Sequence, residues 1–434
     1  MPKQLIPASL PTLNRDRLRA LLAPRSLVAV HANDIPTTNA DGTMVGVPNS
    51  DLFYLSGIAQ EETVLLLAPD ALDERMREIL FVRETSPLIA QWVGHKLDKE
   101  EAAAASGMAR VEWLSALPVL FRQLMCEMES VWLNSNEHAR AIVEVESRDA
   151  RFVREVQRQF PLHEYRRLAQ LMRVLRLEKS KAELALLERA AAITRDGFAR
   201  VARFVRPGVN EREVEAEFAH EFIRQHGRFA YTPIIASGKN GCVLHYEAND
   251  QPCKNGDILL LDVGASFSNY NADVTRALPV SGRFSKRQRA VYGAVLRVLR
   301  KCTHALAPGK RPRDWNKEAE AFMQEELLGL GLLKPRDIKK QDPLRPALKK
   351  YFMHGVGHPI GLDVHDVVAP GATMAPGWVM TVEPGIYLPD EGFAVRLEDD
   401  ILITENGHVN LTRDIPIEPD EVEAQMAGKA RGKR

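Results

Sequence analysis

Apolar residues fall into two kinds of run along this chain. Val64-Leu65-Leu66-Leu67 and Ile79-Leu80-Phe81-Val82 are short and unbroken, the pattern of buried strands. Residues 100–105 and 115–126 read instead as helices, and the alternation predicts an α/β layer domain over 1–172. Near residue 175 the texture changes. Leu184, Leu187, Ala191, Thr194, Phe198 and Val201 recur every three or four positions, opened by a Ser180/Glu183 capping box and closed by Pro207-Gly208. Asn210 and Glu213 cap a second helix that ends near Gly227. Ser285 and Gln288 cap a third, carrying Val291, Val295 and Val298 up to Pro308-Gly309, and a fourth spans Trp315 to Leu330. Helix, Pro-Gly, helix, then glycine-rich loop and strands thus occurs twice. This predicts an α+β fold whose 173–434 domain is a pseudo-twofold duplication enclosing a site between its halves.

Acidic residues interrupt the apolar strands at related places in the two halves. Asp262 sits near the end of Asp257–Gly264, and Asp273 lies on the partner strand Ala272–Leu278. A turn centred between Phe267 and Ser268 places them opposite one another on one face, where like charges repel unless a cation lies between them. In the second half, the turn Pro389-Asp390-Glu391-Gly392 is centred midway between Glu383 and Glu398, with Pro384 kinking the first strand. A lone acid at a strand end is ordinary. Two mirrored pairs predict four carboxylates converging on metal.

Three of twelve histidines, His354, His358 and His365, lie within residues 352–366. His354 and His358 are four apart, but Gly355, Gly357, Pro359 and Gly361 oppose the helix that a zinc pair of this spacing needs. A glycine-rich loop presenting imidazoles to a site fits better. His245 alone reads as an ordinary histidine. Four carboxylates with one imidazole form a hard, oxygen-rich donor set that suits Mn²⁺ first, with Zn²⁺, Co²⁺ or Fe²⁺ as alternatives. Two such ions acidify a shared water, so the chemistry expected is dinuclear metal hydrolysis.

Composition narrows the partners. The 434 residues hold 58 Lys+Arg and 58 Asp+Glu, so no global charge draws the chain to nucleic acid or membrane. No run approaches the ~20 apolar residues of a membrane span, and the opening residues lack a secretory h-region. Cys126, Cys242, Cys253 and Cys302 are scattered without a CxxC pair, predicting reduced thiols and a cytoplasmic protein. Trp92 reads as a packing residue. The basic end Lys429-Ala430-Arg431-Gly432-Lys433-Arg434 reads as a frayed tail.

Taken together, Ile235-x-x-Gly238 leading to His245-Tyr246, Leu261-Asp262-Val263-Gly264, Asp273-Val274-Thr275-Arg276, His354-Gly355-x-Gly357-His358, Asp363-Val364-His365-Asp366, Glu383-Pro384-Gly385 and Val395-Arg396-x-Glu398-Asp399 resemble the pita-bread metallopeptidase family. Pro48-Asn49-Ser50-Asp51-Leu52-Phe53-Tyr54-Leu55-Ser56-Gly57 and Trp92-x-Gly94 resemble the N-terminal domain of its aminopeptidase P branch. The resemblance implies two divalent metal ions held by Asp262, Asp273, His358, Glu383 and Glu398, with Asp273 and Glu398 bridging. It implies substrate contacts from His245, His354 and His365, with Arg396 beside the proline pocket. Glu383 would carry the proton from the attacking water to the leaving nitrogen, and His365 would stabilise the oxyanion. The implied reaction releases the N-terminal residue ahead of proline, in a homodimer or homotetramer whose Trp92 could reach a neighbouring subunit's site. The competing readings are a dipeptidase of the prolidase type and a non-catalytic binding protein on the same scaffold.

Overall fold

The computed structural model describes residues 6–142 and 144–428, so the basic end of the chain lies outside the described residues. Two compact units divide it, Met1–Arg176 and Leu177–Arg434. The first contains a mixed six-stranded sheet. Strands β1 (Ser26–His31), β2 (Val64–Leu67), β3 (Glu78–Val82), β4 (Val111–Trp113), β5 (Ser130–Leu133) and β6 (Glu164–Arg167) lie in the order β4-β3-β2-β1-β5-β6. Leu27, Ala29, Val64, Leu66, Ile79 and Phe81 point from alternate strand positions onto Phe121, Leu124, Met125 and Val156 of two covering helices. Trp92 departs from the packing expected of it. It lies in the last turn of a seven-residue helix, Pro87–Val93, with no buried residue, and is 83% exposed.

In the second unit the predicted capping boxes form at Ser180/Glu183, Asn210/Glu213 and Ser285/Gln288. They open the helices Lys181–Phe204, Glu211–Arg224 and Lys286–His304; the fourth runs Pro312–Gly329. A Cβ on Gly197 would stand 2.8 Å from the rings of Phe218 and Phe222, so glycine allows the first two helices to pack this closely. Phe198, Phe218 and Phe222 lead one core cluster, while Trp315, Met323 and Phe352 belong to the other.

The strands carry the duplication. In the first half, β7 (Arg228–Phe229), β8 (Ile234–Ser237), β9 (Ile258–Asp262), β10 (Ala265–Phe267), β11 (Tyr270–Asn271) and β12 (Thr275–Pro279) form two three-stranded sheets, β11-β10-β7 and β12-β9-β8. In the second, β13 (Val379–Val382), β14 (Gly385–Leu388), β15 (Phe393–Arg396), β16 (Asp399–Thr404) and β17 (Gly407–Asn410) form β13-β16-β17 and β14-β15. Each half therefore contains a long two-stranded ribbon that breaks midway and passes from one sheet into another.

Register corrects the first ribbon. Asp262 faces Thr275, not Asp273, and Phe267 pairs with Tyr270. The turn is centred one residue later than expected, because Ser268 and Asn269 both adopt left-handed backbone (φ 49° and 65°), the conformation of a type I′ hairpin. Asp273 is thus a diagonal neighbour of Asp262 on the same face. At this break a Cβ on Gly264 would fall 1.7 Å from the Ala272 carbonyl oxygen, so only glycine allows the crossing. The second ribbon keeps the expected register: Val382 pairs with Asp399 and Gly385 with Arg396, which sets Glu383 across from Glu398. The returning strand breaks at Leu397-Glu398, between β15 and β16.

Candidate metal centre

All four predicted carboxylates occupy the breaks. Asp262 ends β9, Asp273 precedes β12, Glu383 separates β13 from β14, and Glu398 separates β15 from β16. A break turns the chain without returning it to a ladder, so each acid is aimed into the space between the halves. The breaks are also tied to each other, since Glu398 N donates to Thr275 O (3.0 Å) and Asp273 N to Asp400 Oδ2 (3.1 Å).

His358 reaches the same space from a loop, not a helix. Residues 356–360 run antiparallel to β13: Glu383 N donates to Val356 O (2.8 Å), Thr381 N to His358 O (2.8 Å) and Ile360 N to Val379 O (3.0 Å). A Cβ on Gly357 would stand 2.0 Å from Thr381 O, which explains the glycine beside this histidine. His358 Nδ1 lies 3.0 Å from Pro359 O, leaving Nε2 turned to Asp273 Oδ2 (3.6 Å) and Glu383 Oε1 (3.8 Å).

One donor atom each from Asp273, His358 and Glu398 lies within 4.8 Å of the others. Burial, then the charges of Asp262 and Asp400, push the Asp273 carboxyl well above the ordinary range. Burial and the charges of Asp273, Glu383 and Asp262 do the same to Glu398. Buried acids held this close are the environment that a divalent cation relieves, and the oxygen-rich set with one imidazole suits such an ion. Asp262 is arranged differently. Its Oδ1 accepts from Tyr231 Oη and its Oδ2 from Arg396 Nη2, both at 2.5 Å.

Two of the other predicted histidines, His354 and His365, border the acids and His358. His365 is exposed, and its ring stacks on His358 with centroids 4.0 Å apart and planes 12° apart. His245 stands on an exposed turn. His354 has both ring nitrogens engaged, Nδ1 with Gly355 O (2.7 Å) and Nε2 with Tyr387 Oη (2.8 Å). Burial, then the Arg396 charge, lowers its pKa to about 3, so the ring is neutral and Nε2 accepts from the phenol.

Three contributors escaped the sequence reading. Tyr231 donates to Asp262 and also reaches Asp273 Oδ1 at 2.5 Å. Tyr387 joins His354 to Arg396 Nη1 (2.9 Å), and burial raises its phenol to about 12. Thr275 donates to Glu398 Oε2 (2.6 Å) and accepts from Arg396 Nε (3.1 Å). Thr275 lies inside the motif Asp273–Arg276 and Tyr387 shortly after Glu383-Pro384-Gly385, and hydroxyls beside a metal site signal orientation of its ligands. Tyr231 lies outside every motif.

Known proteins resemble this chain in sequence and in fold. The family model described as metallopeptidase family M24 matches residues 185–405, and that for the aminopeptidase P N-terminal domain matches residues 12–132. The Xaa-Pro aminopeptidase of Escherichia coli (strain K12) is 34% identical over 432 residues, covering 95% of this chain and 96% of that protein. The structure of Pseudomonas aeruginosa aminopeptidase PepP is similar with a TM-score of 0.87 at 31% identity, covering 98% of this chain and 99% of that one. Zinc-substituted E. coli aminopeptidase P in complex with product gives 0.86 at 31% identity, covering 98% and 100%.

Proposed function

The chain belongs to metallopeptidase family M24, and from that premise we propose that it is a metallo-exopeptidase releasing the N-terminal residue from peptides with proline in second position. The observation that carries the reading is the meeting of Asp273, His358 and Glu398, with Asp262 and Glu383 beside them, at the breaks of two duplicated ribbons. Asp262, Asp273, His358, Glu383 and Glu398 would hold two divalent metal ions. Manganese is the first choice for so oxygen-rich a set. Bound there, the ions supply Lewis acidity toward the scissile carbonyl and acidify the attacking water.

The chain's own groups account for the rest. Glu383 is the most accessible of the four acids, with its side chain 22% exposed. It takes the proton from the attacking water and delivers it to the proline nitrogen as that group leaves. His365, held flat against His358, donates to the developing oxyanion. His245 and His354 contact the peptide. Arg396, fixed by Asp262, Thr275 and Tyr387, gives the proline pocket a rigid wall.

The reading extends to a cytoplasmic homodimer or homotetramer. The free, dispersed cysteines support the compartment, and exposed Met44, Val45, Leu88 and Trp92 support self-association. Analytical ultracentrifugation tests the assembly.

The activity is tested on Mn²⁺-loaded protein supplied with Arg-Pro-Pro and Arg-Pro in parallel. Free arginine from the tripeptide is expected; arginine from the dipeptide alone overturns the reading in favour of a dipeptidase. Glu383→Gln should lower kcat by about 10²–10⁴-fold with the fold intact, and retained turnover refutes its proton-transfer role.

A further inference from the structure

Glu211 opens the helix Glu211–Arg224 and is 0% exposed. Its carboxylate accepts four hydrogen bonds. Oε1 receives Ser237 N (2.7 Å) and Asn240 Nδ2 (3.1 Å), while Oε2 receives Tyr246 Oη (2.8 Å) and Gln251 N (2.9 Å). These donors come from the start, the middle and the end of one segment, 237–251. His245 stands at its tip among exposed Val243, Glu247 and Ala248, whereas Tyr246 turns inward. The same helix end fixes the returning leg: Glu211 N donates to Gln251 O (3.0 Å), Asn210 Nδ2 to Asp250 O (2.8 Å) and an Arg212 guanidinium nitrogen to Ala248 O (3.2 Å).

A buried carboxylate is costly unless donors such as these surround it, and then its bonds are among the stronger ones a protein makes. Few apolar anchors hold the tip, since Cys242, Leu244 and Tyr246 are only partly buried. The direction of His245 therefore depends on its neighbour, whose hydroxyl is bonded to Glu211.

We propose that Glu211 is a positioning residue for His245, setting through Tyr246 where the imidazole stands against the peptide. This rests on the reading above that His245 contacts substrate. Glu211→Gln keeps the shape but sets an amide N–H₂ against donors. Turnover of Arg-Pro-Pro by the Mn²⁺-loaded variant should fall on the order of tenfold in kcat/KM, chiefly through KM, with metal content unchanged. In a His245→Ala background the same substitution should change kcat/KM by no more than about twofold, because the residue it acts through is gone. Tyr246→Phe, which spares the other three bonds, should give a smaller loss masked in the same way, and serves if Glu211→Gln does not fold. An equal fold-loss in both backgrounds, or no loss in the wild-type background, overturns the proposal. Wild-type kcat/KM in His245→Ala alone overturns the His245 contact and the proposal together, yet leaves the activity standing.

Discussion

Tyr231 provides a direct test of how the metal site is organised. Its hydroxyl lies 2.5 Å from Oδ1 of Asp262 and 2.5 Å from Oδ1 of Asp273. With one oxygen of each acid occupied in this way, Asp273 is left with Oδ2 turned toward His358 Nε2. Tyr231→Phe keeps the ring and removes that restraint. A hydrogen bond to a charged acceptor contributes about 1.5–3 kcal/mol, which at about 1.4 kcal/mol per decade is roughly a tenfold to hundredfold loss in metal affinity. Removing a group that orients metal ligands typically costs a similar factor. Affinity is measured by competition with a chromophoric chelator at one pH, and kcat with Arg-Pro-Pro at saturating Mn²⁺. Weaker binding with kcat restored to within about threefold at saturation is expected of an orienting group. Unchanged affinity refutes the orienting role. Lost kcat at full metal occupancy also refutes it, and assigns the phenol a part in the reaction.

Two further predictions concern stability. Burial, then the Arg148 charge, lowers the His31 pKa from 6.5 to about 3, so the folded state resists a proton that the unfolded chain accepts. Stability is lost as pH falls from about 6.5 toward 3, by about 2 kcal/mol at pH 5, at about 1.36 kcal/mol per unit. His31→Leu should therefore lose about 2 kcal/mol less than wild type between pH 7 and pH 5 in urea melts, and parallel losses refute the assignment. Lys179 Nζ lies 3.1 Å from Asp366 Oδ2, with both side chains 1% exposed, behind the loop that presents His365. Lys179→Met should cost about 3–5 kcal/mol, and adding Asp366→Asn should recover part of it; a double variant no more stable than the single removes the ion pair from the account.

How much of this was legible in the sequence depends on the range over which each feature is determined. The capping boxes at Ser180, Asn210 and Ser285 are settled within four residues, and all three form. The second ribbon's register follows from a turn whose Pro389 and Gly392 mark its limits, and the expected pairing matches the observed one. The first turn carries Ser268-Asn269 without the glycine that marks a hairpin centre most strongly, and the expected register differs from the observed one by two. Neither the strand breaks nor Tyr231 has a periodic signal, because each depends on what the opposite half brings near. The difference of two nevertheless leaves both acids on one face. Side chains alternate across a strand with a period of two, so a shift of two residues preserves every face. Asp262 and Asp273 moved from directly opposed to diagonal and still meet at one phenol oxygen. A shift of one would have sent Asp273 to the other side of the sheet, away from His358. Face parity, rather than exact pairing, is therefore what a sequence must encode for a ribbon to deliver its acids to one metal site.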